Sequence, residues 1–171
     1  MNLKRKITKN KNGSLLDIIF WLVVALVFSI TILIGFKILT EVDNNIQVMD
    51  DIPAASKAVS TRMLGFFPTV IDGGFAFFVI GLVIVTFVLA SLVRIHPIFL
   101  VFFIISLIFV IFLSGILSNI YTEFAAHPDL IAQADQLILM SYIMRYLPLF
   151  TTVFGSVLAI FMYKMFQNSE G

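Results

Sequence analysis

LLDIIFWLVVALVFSITILIGFKIL, residues 15–39, carries two charges only, Asp17 near its start and Lys37 near its end. A helix rises about 1.5 Å per residue, so roughly 20 apolar residues cross a hydrocarbon core about 30 Å thick. The stretch is long enough to do so. Three further apolar runs follow at 75–93, 98–117 and 149–162. The last is short unless it takes in 143–147, which predicts a helix that passes through Pro148 with a kink there. The pattern reads as an all-α integral membrane protein, a four-helix bundle occupying 15–165 between a basic tail (1–14) and a short C-terminal tail (166–171).

Composition agrees. Of 171 residues, 60% are hydrophobic and 12% charged, with 19 Phe and no Cys, whereas a soluble domain holds about 25% charged residues. Too few charges remain to cover a water-facing surface. The absence of Cys excludes disulfides, thiolate metal sites and cysteine nucleophiles. A cleaved signal peptide does not fit the first run, which exceeds the 7–15 residues or so of such a segment and lacks a small-x-small cleavage site. A prepilin-type site at Gly13-Ser14 does not fit either, because Asp17 is out of register with it.

Sorting the charges gives the expected direction. With the N-terminus inside, the inner side holds Lys4, Arg5, Lys6, Lys9, Lys11, Arg94 and Lys164 against Asp17 and Glu170. The opposite side holds Lys37, Lys57, Arg62 and Arg145 among a majority of acidic residues. The excess of bases inside follows the positive-inside rule, so both ends are expected in the cytoplasm or a particle interior. Trp21 and Tyr163 would lie near the inner interface, and Tyr121, Tyr142 and Tyr146 near the outer one.

Arg94-Ile95-His96-Pro97 is short enough to make spans two and three a tight hairpin. The two outer connections are longer, and each predicts an amphipathic helix. In the first, Asp51 caps and Pro53 occupies the first turn, with Ala55, Val59, Met63, Phe66 and Phe67 on one face and Ser56, Lys57, Ser60 and Thr61 on the other. In the second, Pro128 leads into Leu130, Ile131, Ala134, Leu137 and Ile138 on one face, with Asp129, Gln133 and Gln136 opposite. Such helices lie at the interface or pack over the end of the bundle. Gly73-Gly74 reads as a loop-to-helix hinge.

The halves also echo each other. Thr40-Glu41 leaves span one as Thr122-Glu123 leaves span three, and Pro68 leads into span two as Pro148 leads into span four. A span–outer helix–span unit used twice, in a 2+2 parallel repeat, would produce this and would relate the halves by an axis along the membrane normal. Local causes, an exit cap and a re-entry signal, would give the same echoes.

Within lipid, helices associate through close packing and interhelical hydrogen bonds. The candidate packing residues are Ala25, Ser29, Gly74, Gly81, Ser114, Gly115, Ser118, Gly155 and Ala159. The hydroxyls Ser29, Thr31, Thr86, Ser106, Ser114, Thr151, Thr152 and Ser156 are expected to bond to the preceding turn of their own helices; a polar pore lining is the other arrangement open to them.

No ionisable group lies deep in a span, where its cost would imply transport. His96 and His127 belong to no metal-ligand spacing, and no nucleophile–base pair, phosphate loop or dinucleotide fingerprint occurs. No catalysis, cofactor or metal is therefore expected. Glu41 and Glu123 are the candidate functional carboxylates, since a repeat would bring them to equivalent outer positions. The basic tail suits anionic headgroups, and otherwise a nonspecific, salt-dependent contact with nucleic acid. The functional expectation is a non-catalytic protein acting by assembly, with other membrane proteins or copies of itself. It would be a scaffold or accessory subunit of a complex, or a membrane component of a virus particle. The competing expectation is a small oligomeric pore of the holin kind.

Overall fold

The computed structural model describes residues 15–92 and 97–167. The tail bases Lys4, Arg5, Lys6, Lys9 and Lys11, and the turn residues Arg94 and His96, lie outside them. Every regular element among the described residues is a helix: α1 (Leu15–Val48), α2 (Ala54–Leu92), α3 (Pro97–Ala125), α4 (Ile131–Gln136), α5 (Ile138–Arg145) and α6 (Leu147–Gln167). Four of these, α1, α2, α3 and α6, are long and apolar enough to cross a membrane. Their surfaces are rich in exposed Phe, Ile, Val and Leu, as a lipid-facing surface must be, since lipid tails exert no hydrophobic penalty on them.

Contacts run from α1 to α3, α3 to α6, α6 to α2 and α2 back to α1, with α3 and α6 packed most extensively. The four long helices therefore form a closed ring. The turn of the hairpin expected between spans two and three lies outside the described residues; among the described residues each of these spans packs on α1 and α6, and a cavity lies between them.

The first outer connection differs from expectation. No separate amphipathic helix exists there, because α2 begins at Ala54 and continues through Pro68 to Leu92, 39 residues or about 58 Å. Pro53 stands just outside it, its carbonyl accepting from the Ser56 and Lys57 amides at 2.9 and 3.2 Å. Pro68 removes one backbone donor, which a membrane helix tolerates when neighbouring groups satisfy the freed carbonyl. Gly73-Gly74 is consequently interior to a helix and is no hinge. The face also divides: Phe67 packs inward on Phe36 of α1. Val59, Met63 and Phe66 point outward, while Lys57 and Thr61 turn toward α1. The reason is a polar clamp between the two helices. The Gln47 amide donates to the Lys57 carbonyl at 3.2 Å, the Thr61 hydroxyl at 3.0 Å and the Asp43 carboxylate at 3.2 Å. The Lys57 ammonium donates to the Gln47 carbonyl at 2.9 Å.

The second outer connection is broken into α4 and α5, which dip into the ring. Leu137 separates them, with φ −94° and ψ 67°. Ala134 and Leu137 are buried as the apolar face requires, but Gln133 is buried with them and Ile131 and Ile138 are exposed. The break at Leu137 changes the helical phase, which is why a single 3.6-residue period misassigns these three. Spans do not extend through Pro148 as a kinked helix either. α5 ends at Arg145, Tyr146 makes the joint (φ −103°, ψ 21°), and Pro148 falls in the first turn of α6, where its missing N–H has no cost.

Candidate functional site

The buried core gathers where α4 and α5 enter the ring. Leu33 and Phe36 of α1, Phe75 of α2, Tyr121 and Ala125 of α3 and Leu137, Met140 and Met144 of the inserted segment form one cluster. The polar groups inside it hold the segment in place. Asp72, only 8% exposed, reaches from α2 to the start of α5. Its two carboxylate oxygens accept from the Leu139 and Met140 amides at 2.9 and 3.0 Å. These are orphan donors of a helix N-terminus, and a carboxylate there is favoured by the hydrogen bonds and by the helix dipole together. Tyr121, fully buried, is paired with Ser141 at 2.9 Å, and the Ser141 hydroxyl donates to the Ala134 carbonyl at 2.8 Å. With the serine proton so committed, the Tyr121 hydroxyl is the donor of the pair. Ser118 donates to the Arg145 carbonyl at the end of α5. Tyr121 was expected as an interfacial ring; its hydroxyl instead finds a protein partner, while Tyr142 and Tyr146, expected at the same interface, are exposed with ring centroids 4.7 Å apart.

Below α5 the axis of the ring is hollow. A cavity of about 340 Å³ runs among α1, α2, α3 and α6 and is roofed by Ile143, Met144 and Leu147. A second, of about 320 Å³, lies in the seam between α1 and α2. Both are walled almost wholly by apolar side chains. Most of the span hydroxyls are bonded into their own helices. Thr86 donates to the Leu82 carbonyl at 2.7 Å and Thr151 to the Leu147 carbonyl at 2.8 Å. Ser29, Thr31, Ser114 and Thr152 likewise donate to carbonyls of the preceding turn. Ser106 and Ser156 have no hydrogen-bond partner among the described residues, and of these Ser106 faces the cavity.

Of the residues singled out in sequence, Ser29, Ser114 and Ser118 are buried between helices. Gly155 sits directly against Leu107, so a Cβ there would collide with it, and a Cβ on Gly115 would lie 4.0 Å from Pro148, in ordinary contact. Ala25 and Ala159 are half-buried, Ala25 on the wall of both cavities. Gly74 and Gly81 meet nothing within 4 Å of an added Cβ; Gly74 instead borders the seam cavity. Glu41 and Glu123 are exposed, and Glu41 pairs with Lys37 at 2.8 Å on its own helix. Among the described residues no group of three or more His, Asp or Glu side chains could hold a metal.

Asp72, Asp43 and Gln133 were missed as interior groups. Asp72 shares a helical face with Phe75 and Val79, a signal that becomes readable only when α2 is allowed to start at Ala54. Gln133 is 4% exposed and its amide oxygen has no hydrogen-bond partner among the described residues. Comparison of the chain with protein families, with curated proteins and with solved structures finds no match.

Proposed function

We propose that this chain is a non-catalytic multi-pass membrane protein that acts by assembly, as a scaffold or accessory subunit of a larger complex or as a membrane component of a virus particle. Both termini face the cytoplasm or the particle interior in this reading, and the α4–α5 end faces out. Charge distribution supports that direction. The two halves are a duplicated unit whose outer segment has diverged, fused into α2 in one half and broken into α4 and α5 in the other. The echo of Thr40-Glu41 in Thr122-Glu123 and of Pro68 in Pro148 supports this equivalence.

The observation that carries assembly is the upper part of α2. Phe36 and Phe67 stack at 5.0 Å, which sets the level of the neighbouring Lys37–Glu41 pair. Beyond that level α1 exposes Glu41, Asn44 and Asn45, as a water-facing surface would. α2 at the same height exposes Met63 at 70% and Val59 at 58%. An apolar stripe beside a polar one, at the edge of the hydrocarbon or past it, is the signature of a contact surface. Extraction in a mild detergent followed by native-state mass measurement tests this: a stable assembly larger than one chain is expected, and a lone monomer contradicts it.

The pore reading finds less support. α5 fills the axis on one side, and the hydroxyls that would line a polar path are bonded within their own helices. Ion flux through vesicles containing the purified chain, altered by alanine at Glu41 and Glu123, would restore it.

A further inference from the structure

The half of the axis that α5 leaves unfilled has a shape and chemistry of its own, and we propose that it holds one acyl chain of a bilayer lipid, admitted sideways through the seam between α1 and α2. The axial cavity and the seam cavity share Trp21, Ala25, Phe75 and Phe78 in their walls, so the two lie side by side across these residues. At the seam, Phe28 and Val70 are exposed on the outer surface of spanning helices and line the cavity at the same time. The medium touching that mouth is hydrocarbon.

Length fits the occupant. From Phe75 to Phe87 the axial cavity follows α2 for about 18 Å at 1.5 Å per residue. One leaflet contributes about 15 Å of a hydrocarbon core. The upper end is closed by Met144 and Leu147, so a chain entering from the leaflet on the side of the termini ends beneath α5.

Chemistry excludes the alternatives of water and vacuum. A buried water needs two to four polar partners or so, and of the hydroxyls on the axial wall only Ser106 is uncommitted. Protein interiors leave few voids larger than a water molecule, because the atoms lining a void forfeit their dispersion contacts. An acyl chain supplies those contacts without asking for a hydrogen bond.

Trp21 is the only Trp in the chain and lies on the wall of both cavities. The indole is 51% exposed, so lipid around the bundle quenches it in proportion to bulk lipid, and a saturable part of the quenching reports on the cavity. The whole chain in alkyl-maltoside micelles is titrated with a phosphatidylcholine brominated midway along one acyl chain. The expected result is quenching that saturates at low lipid mole fraction. Ala25→Phe and Val79→Phe, each placing a ring in the space, should raise the lipid needed for half-quenching about tenfold. Two substitutions are used so that a folded one, with native helical circular dichroism, is available for the comparison. Quenching that grows only in proportion to bulk lipid in the unsubstituted chain overturns the proposal, as does unchanged saturation in a folded cavity-filling variant.

Discussion

Asp72 places a carboxylate in an apolar core and gives both oxygens to the amides of Leu139 and Met140. Removing an acceptor from a buried donor costs roughly 1–3 kcal/mol, more than the bond itself contributes. Asp72→Ala should therefore lower the thermal midpoint of the detergent-solubilised protein by that order. Asp72→Asn keeps one acceptor oxygen and should cost less. Equal midpoints for Asp72→Ala and the unsubstituted chain would remove the cap from the account. The Tyr121–Ser141 pair shows the same asymmetry. Tyr121→Phe takes away the donor and leaves Ser141 still bonded to Ala134. Ser141→Ala strands the buried tyrosine hydroxyl and the Ala134 carbonyl. The serine substitution is accordingly predicted to destabilise more than the tyrosine one, by about 1 kcal/mol or more; the reverse order in thermal scans would show the donor assignment to be wrong. None of this was readable from composition. A carboxylate immediately before a Gly-Gly pair looks like a solvated helix end until its tertiary partner is known.

Among the elements, the long apolar runs were legible because nothing competes with them: as far as the described residues reach, 15–39, 75–92 and 98–117, each falls within a single helix. The outer segments were not, for two different reasons. Ala54 to Phe67 has a true helical period, but its phase relative to the bundle was set by the Gln47 clamp and not by the apolar stripe. Ile131 to Arg145 contains two short phases separated at Leu137, and one period cannot describe both. Small residues were informative only where two helices meet. Gly155 against Leu107 is such a place, in the most extensive helix pair of the ring. Gly155→Ala forces Leu107 to move and should destabilise by about 1–3 kcal/mol. Leu107→Ala in the same chain opens the space, so the double variant should be less destabilised than the sum of the two single ones. Simple additivity, measured by thermal scans of all four chains, would mean that the α3–α6 contact is looser than described.

At the scale of the whole molecule, the ring of four spans is filled along one half of its axis by its own chain and hollow along the other. The exposed stripe on α2 is the contact surface of the proposed assembly. Since Val59 and Met63 are exposed, Val59→Glu or Met63→Glu should leave the melting behaviour within about 0.5 kcal/mol of the original while weakening assembly. Cross-linking in membranes reads this, and undiminished cross-linking in both variants would move the contact surface elsewhere. Four crossings in a common direction of insertion are the premise of all these statements. The absence of Cys makes that premise directly measurable, because any introduced thiol is the sole one in the chain. Single variants Asn2→Cys, Asn45→Cys, Ala126→Cys and Gln167→Cys, in sealed vesicles of known sidedness, are treated with a membrane-impermeant maleimide. The account predicts that Asn45→Cys and Ala126→Cys label from one side and Asn2→Cys and Gln167→Cys from the other; labelling of the two terminal positions from opposite sides would contradict it.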